Sequence, residues 1–142
     1  MMKTTIKLLS RSILMGAGLL FAATGNAQAG VVVIGHAGLD KLDDKTMQKI
    51  YTGKVVKVGG VKVTPVNVTP CELRDRFLHD FLNQDNEKYT AYWTVRRYIG
   101  KGVPPRELPA GKVIEFVQST PGAIGYIDES NVTPGLNVIV QH

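Results

Sequence analysis

Cysteine is almost absent from this sequence, which has one, Cys71, among its 142 residues. A single cysteine excludes a disulfide framework within the chain, so the fold must be stabilised by its apolar core. Three states remain open for this residue: an inert and partly buried thiol, a free reactive thiol, or a thiol that pairs two chains. A catalytic thiol needs a base, and His79 lies too far along the same predicted helix to act as one.

Patterns typical of metal sites and of several enzyme classes are also missing. The three histidines, His36, His79 and His142, lie far apart and lack ligand spacing, so the sequence predicts no metal site. It contains no serine nucleophile elbow, no phosphate-binding loop and no dinucleotide fingerprint. We therefore expect a protein that is not an enzyme and that holds no cofactor.

Long apolar runs are scarce, and the one at the N terminus is too short to span a bilayer. Residues 12–23 form an apolar run of 12 residues, whereas a spanning helix needs about 20. Three basic residues precede the run, and the small-x-small sequence Ala-Gln-Ala follows at 27–29. This order is typical of a cleaved secretory signal peptide. We expect residues 1–29 to be removed, without a lipid anchor, and residues 30–142 to form one periplasmic domain.

Charge of one sign is not in large excess once the signal peptide is set aside. The net charge of the chain is +5, and the three basic residues near its start leave +2 for residues 30–142. No long run of like charge predicts a nucleic-acid partner. Arg96 and Arg97 do lie among aromatic residues, but we expect Trp93 to be in the core and the arginines to be solvated or stacked on rings.

The remaining pattern begins with a strand, a short helix and a hairpin. The β-branched run "GVVVIG" at 30–35 predicts a strand buried on both faces. A helix is predicted from Asp43 to Tyr51, with Asp43 or Asp44 as its cap and Gly53 at its end. Two valine-rich runs flank Gly59-Gly60 and predict a hairpin, in which Pro65 indicates an edge or a bulge.

Three further helices and two strands follow. In the first of these helices, Leu73, Phe77 and Phe81 recur every four residues, which predicts an apolar face, while Arg74 and Asp75 are expected to point outward. A second helix is predicted over Asn86–Ile99, with Asn86 as its cap and Ile99 on its packing surface, and a third at 111–119, before Pro121. "GAIGYI" and "LNVIV" predict the last strands. Intermixed strands and helices are typical of an α/β layered domain.

Five motifs follow one another along the chain: "MQKIYTGK", "VTPVNV", "CELRDRFLHDFL", "YWTVRRYIGKGVPP" and "VIEFVQSTPGAIGYID". In this order they resemble the phosphate-binding branch of the type II periplasmic binding proteins. The resemblance implies one three-layer lobe with a mixed sheet flanked by helices, and a solute-binding function in phosphate transport. It also implies two kinds of partner: phosphate or another small anion, and a membrane transporter or sensor.

Two departures from this family affect the expected function. Full members have two lobes that close on the ligand, whereas this chain has room for one, so tight capture would need a homodimer. In the family a serine near the start of the phosphate-contacting helix donates to the anion. The resemblance places Cys71 at that position and Glu72 after it.

The candidate ligand site is therefore the start of this helix, formed by Thr69, Cys71, Glu72 and Arg74. The favoured prediction is a capping box, in which Thr69 caps the helix and Glu72 reaches back to the Thr69 amide. The alternative is an anion at the helix N terminus, with Arg74 as its counter-ion; without an anion, Arg74 would be a surface partner for Asp75 or Glu72. The same two alternatives apply to function: a weak anion-binding module, or an interaction or regulatory subunit that binds no ligand.

Overall fold

The computed structural model describes residues 30–141, so the predicted signal peptide lies outside the described residues. The helices are α1 (Asp44–Tyr51), α2 (Glu72–Leu82), α3 (Asn86–Tyr98) and α4 (Val113–Ser119), with short 3-10 turns at Ala110–Lys112 and Glu129–Asn131. The strands are β1 (Val31–Gly35), β2 (Lys57–Val58), β3 (Val61–Lys62), β4 (Thr64–Val68), β5 (Arg106–Leu108), β6 (Ala123–Asp128) and β7 (Asn137–Gln141).

The main sheet is mixed and has the strand order β5-β4-β6-β1-β7. β4 pairs in parallel with both β5 and β6, whereas β1 pairs antiparallel with β6 and β7. β1 therefore runs opposite to the other four strands. This arrangement confirms the predicted mixed sheet.

Helices cover both faces of the sheet. A Cβ atom on Gly125 would lie 2.6 Å from Val113 of α4, and the next residue, Tyr126, stacks on Phe77 of α2 with ring centroids 3.8 Å apart. Because successive residues of a strand face opposite sides, α4 and α2 lie on opposite faces. The predicted three-layer α/β lobe is confirmed.

The core lies on both sides of the central strands β1 and β6. All five residues of β1 are buried, as the valine-rich run predicts, because this strand has a neighbour on each side and a helix layer on each face. The seven strands and four helices of residues 30–141 share one continuous core.

Helix α1 starts and ends where the sequence predicts. Asp43 is the N-cap, and its Oδ1 accepts a hydrogen bond of 2.7 Å from the Thr46 amide. Gly53 follows the helix with a φ of 75°. A Cβ atom there would lie 2.7 Å from the Trp93 ring, so both the backbone conformation and the packing require glycine.

The predicted hairpin exists but is shorter than expected. Gly59 and Gly60 have φ values of 56° and 79° and connect β2 to β3. The chain then leaves the hairpin at Val63 and enters the main sheet as β4. β4 lies between β5 and β6, so the prediction of an edge strand is wrong for the strand as a whole. Its pairing with β5 begins only at Val66, so Pro65 is not required to donate a hydrogen bond on that side.

The other two predicted helices are confirmed with small shifts of their ends. α3 is capped by Asp85, whose Oδ1 accepts a 2.7 Å bond from the Lys88 amide, rather than by Asn86. Ile99, predicted to pack inward, is the C-cap of this helix and is exposed. α4 stops before Pro121 as predicted. Within residues 30–141, no helix combines the length and apolar character needed to cross a membrane.

Candidate functional site

The start of α2 is formed by a strand that continues past its predicted end. The Thr69 amide donates a 3.0 Å hydrogen bond to the Leu108 carbonyl, which extends the pairing of β4 with β5 by one residue. This bond keeps the chain extended at Thr69. The helix consequently begins two residues later than a Thr69 cap would allow.

The predicted capping box is therefore wrong. The N-cap is Cys71, with extended backbone angles (φ −167°, ψ 175°) and no hydrogen bond from its side chain. Glu72 is the first helical residue rather than the third, so its carboxylate is not placed to reach back to Thr69. Within residues 30–141, neither the Thr69 hydroxyl nor the Glu72 carboxylate makes a hydrogen bond.

The first amides of α2 consequently lack the side-chain partner that the other two long helices have. The first intrahelical bond is donated by Asp75 to the Cys71 carbonyl at 3.0 Å. The amides of Glu72, Leu73 and Arg74 precede it and point out of the helix start. Unpaired amides at the positive end of a helix dipole attract anions. Cys71 is exposed beside them, so the buried-thiol alternative is wrong.

Arg74 does not point outward as the sequence predicted. It is 3% exposed, and its Nη1 donates to the Val68 carbonyl at 3.0 Å and to Glu107 Oε1 at 2.7 Å. Helical side chains lean toward the N terminus of their helix, which directs this one to the ends of β4 and β5. The expected surface pair with Glu72 or Asp75 is therefore replaced by a pair with Glu107. Arg74 fixes the start of α2, but its charge is already balanced.

A polar cavity of about 130 Å³ lies beside this ion pair. Its wall includes Asn67, Tyr89, Trp93 and Glu107, and the Arg74 guanidinium lies 5.7 Å from the centre of the Tyr89 ring. Within the described residues, Arg74 Nε and Trp93 Nε1 are buried without a hydrogen-bond partner. The cavity therefore offers hydrogen-bond donors, and its wall also includes the exposed cation Arg97.

Buried tyrosines connect this cavity to the core. The Tyr126 hydroxyl donates to Asn67 Oδ1 and accepts from the Val68 amide, and the Tyr89 hydroxyl donates to the Tyr51 carbonyl at 2.9 Å. Burial raises the pKa of Tyr89 to about 12 and raises the pKa of Tyr126 as well. These hydroxyls are therefore neutral donors at physiological pH and do not act as general bases.

No histidine is placed to activate Cys71 in the described part of the chain. His36 Nδ1 lies 3.0 Å from the Val117 carbonyl, and the exposed His79 pairs with Asp80. Residues 30–141 also contain no cluster of three or more His, Cys, Asp or Glu residues able to hold a metal ion. Trp93 is buried and Arg96 lies 5.6 Å from its ring centre, which confirms the packing predicted for that group.

Sequence reasoning missed Asn67 and Glu107, which complete the surroundings of Arg74. Asn67 carried a signal, because a polar residue between two buried valines in a strand needs an internal partner. Glu107 carried none, because its contact with Arg74 depends on the pairing of β4 with β5, in which Asn67 lies opposite Glu107.

Two solved structures share this fold. One is a protein from Clostridium perfringens, described as a phosphate ABC transporter substrate-binding protein and solved with bound phosphate; its TM-score is 0.58 and its identity 20%. The other is an ABC-type phosphate transport receptor from Vibrio cholerae, with a TM-score of 0.52 and 14% identity. Each match covers 78% of this chain. No family model and no curated protein matches the sequence.

The matches cover 44% and 45% of those two chains, so this chain spans less than half the length of the proteins it resembles. At these identities the similarity shows the fold and leaves the ligand open. The fold nevertheless agrees with the single-lobe expectation from the sequence. The described chain thus has the fold of one lobe of a phosphate-type substrate-binding protein.

Proposed function

We propose that this protein is a solute-binding-like module that binds a small anion such as phosphate, weakly, at the start of α2. The observation that carries the proposal is that α2 has no side-chain cap, whereas α1 and α3 are capped by aspartates. An anion would accept hydrogen bonds from the first amides of α2. Thr69, Cys71 and Glu72 would surround it, and Arg74 would hold the turn from beneath.

The same geometry accounts for weak binding. Glu72 is exposed in the first turn, where its carboxylate repels an incoming anion by about 1 kcal/mol at about 4 Å in water. Arg74 contributes little attraction because Glu107 already balances its charge. The site also lies on the surface of a single lobe, and a small ion there stays partly hydrated.

The proposed setting is the periplasm, and the proposed partner is a membrane transporter or sensor. The signal-peptide pattern and the fold shared with transport proteins support this setting. A homodimer would place a second lobe against the first and enclose the ion more fully. No ion pair or disulfide within residues 30–141 involves the exposed Cys71, and its thiol is accessible to a second chain.

Calorimetric titration of residues 30–142 with phosphate and sulfate tests this function. We expect heat of binding with a millimolar dissociation constant, and about fivefold tighter binding in Glu72→Gln, which corresponds to the repulsion that is removed. Glu87→Gln is the matched control, because Glu87 lies in the first turn of α3, where Asp85 already occupies the amides. The affinity of Glu87→Gln for phosphate and sulfate should equal that of the wild type.

Absence of heat for both anions, in the wild type and in Glu72→Gln, would contradict anion binding. That result would favour the second candidate, an interaction or regulatory subunit without a ligand. One observation favours this candidate independently: the apolar side chains of Val95, Tyr98 and Ile99 at the end of α3 are exposed. Non-reducing gels of the wild type and of Cys71→Ser would show whether two chains pair through this thiol.

A further inference from the structure

Positive charge is concentrated in two segments of the chain. Residues 45–71 and 88–106 each contain five lysines or arginines and neither aspartate nor glutamate. Together they supply ten of the 14 basic residues in 30–142. The net charge of residues 30–142 is therefore small, but lysine and arginine are in strong excess within these two segments.

The fold brings parts of these two segments together. The Tyr92 hydroxyl donates to the Thr52 carbonyl at 2.7 Å, and Gly53 packs against the Trp93 ring. A groove of about 330 Å³ lies between the β2–β3 side and the loop that leads into β5. We name this surface the hairpin–loop face; it comprises Val56, Lys57, Lys62, Val103 and Arg106.

Two lysines of this face oppose each other without a counter-ion. Lys57 and Lys62 are directly paired residues of the β2–β3 hairpin, so their side chains project from the same side. Like charges in that arrangement repel. Among residues 30–141 no carboxylate lies within ion-pair distance of either lysine. The hairpin therefore presents a concentrated positive charge that a negatively charged surface would stabilise.

Apolar side chains project beside this charge. Val56 is 60% exposed and Val103 is 73% exposed, and both line the groove together with Lys62 and Arg106. Most of the other residues that line the groove are apolar as well, among them Val55, Pro104 and Pro105, and its cations are Lys62 and Arg106. The lysines favour a lipid surface over a protein surface, because lysine is depleted in protein–protein interfaces. Lysines and arginines around exposed apolar side chains are typical of surfaces that bind anionic lipid.

We propose that the hairpin–loop face docks on an anionic lipid bilayer. The lysines and Arg106 would lie at the headgroup phosphates, and Val56 and Val103 would reach into the boundary with the acyl chains. The surface is separate from the start of α2 and does not depend on anion binding there. Attraction of this kind weakens with added salt, because the charges remain hydrated.

Sedimentation of residues 30–142 with vesicles tests the proposal. We expect binding to vesicles of phosphatidylcholine with phosphatidylglycerol, and little binding to pure phosphatidylcholine. Lys57→Glu with Lys62→Glu should weaken binding about tenfold or more, given the contribution of each basic residue near a charged membrane. Lys41→Glu with Lys112→Glu changes the net charge equally at exposed positions outside the face and should have a much smaller effect.

Two further variants distinguish loss of vesicle binding from misfolding of the hairpin and from a contribution of the proposed anion site. Val103→Asp leaves the hairpin intact and should weaken vesicle binding even if the double lysine variant fails to fold. Glu72→Gln should leave vesicle binding unchanged, which distinguishes this face from the proposed anion site. The proposal is overturned if the wild type does not bind anionic vesicles, or if the control pair weakens binding as much as the hairpin pair. Equal binding to both vesicle types would also overturn it.

Discussion

Helices α1 and α3 begin in one way and helix α2 begins in another. Asp43 and Asp85 each accept a 2.7 Å hydrogen bond from an amide three residues on. Cys71 occupies the same position in α2 and accepts none. In α1 and α3, the aspartate side chain thus accepts a hydrogen bond from an amide of the first turn. The start of α2 is instead held by the Arg74–Glu107 ion pair. A helix start held this way keeps its amides open to a ligand.

The difference arises from the segment before each helix. Asp43 and Asp85 lie in loops, where a residue can adopt the cap conformation freely. Thr69 instead continues strand β4 through its bond to the Leu108 carbonyl, and this strand pairing prevents the local capping pattern from forming. Tertiary pairing therefore decides between two locally acceptable helix starts.

The largest expected effect comes from removing the support beneath α2. Glu107→Ala leaves the 4% exposed Arg74 side chain charged and unpaired, which should lower the free energy of unfolding by about 3 kcal/mol. Arg74→Met removes the buried charge itself and leaves Glu107 about half exposed, so its loss should be smaller. Urea denaturation of both variants measures the unfolding free energy that each one loses. A smaller loss in Glu107→Ala than in Arg74→Met would contradict this account of how the start of α2 is held.

A smaller loss of stability is expected when the cap side chain of a capped helix is removed, and a still smaller one when the Thr69 hydroxyl before α2 is removed. Asp85→Ala removes an N-cap and should destabilise the protein by about 1 kcal/mol. Thr69→Ala should change stability by less than about 0.5 kcal/mol, because the Thr69 hydroxyl caps nothing. Thermal unfolding of the two variants gives the comparison. Equal losses would indicate that Thr69 does cap α2 in solution.

A third effect depends on pH and concerns the second arginine of α2. The Arg76 guanidinium, followed by the amide and hydroxyl of Ser130, lowers the pKa of Asp128 to about 2 from an ordinary 3.8. A lowered folded-state pKa contributes stability that is complete above about pH 4 and is lost as the pH falls through 2. Unfolding measured across this range should show the loss in the wild type. Asp128→Asn should be less stable near pH 6 and should lack this component of the acid dependence.

The sequence predicted most of the fold because its signals were local or periodic. The buried run of β1, the Asp43 cap, the Gly59-Gly60 turn and the stop before Pro121 each depend on neighbouring residues. The division of the valine-rich hairpin into β2–β3 and β4 was less visible, although the apolar phase changes near Val63. Strand order was not predictable, because it depends on contacts between distant segments.

The approximate position of the α2 start was predicted, but its hydrogen bonds were not. Thr69, Cys71 and Glu72 do lie at the start of a helix. Arg74 was placed outside because helical spacing alone suggests a solvent-facing residue, and its partners, Val68 and Glu107, come together only when β4 pairs with β5. A buried arginine whose partner lies on another strand cannot be recognised from periodicity.

The most direct test is an NMR titration of isotope-labelled residues 30–142 with phosphate. We expect the amide signals of Glu72, Leu73 and Arg74 to shift together with one millimolar dissociation constant, while those at the start of α3 remain in place. Cys71→Asp should abolish these shifts, because an aspartate cap occupies the same amides. If the signals of residues 72–74 do not move, or if they move equally in Cys71→Asp, the start of α2 is not an anion site.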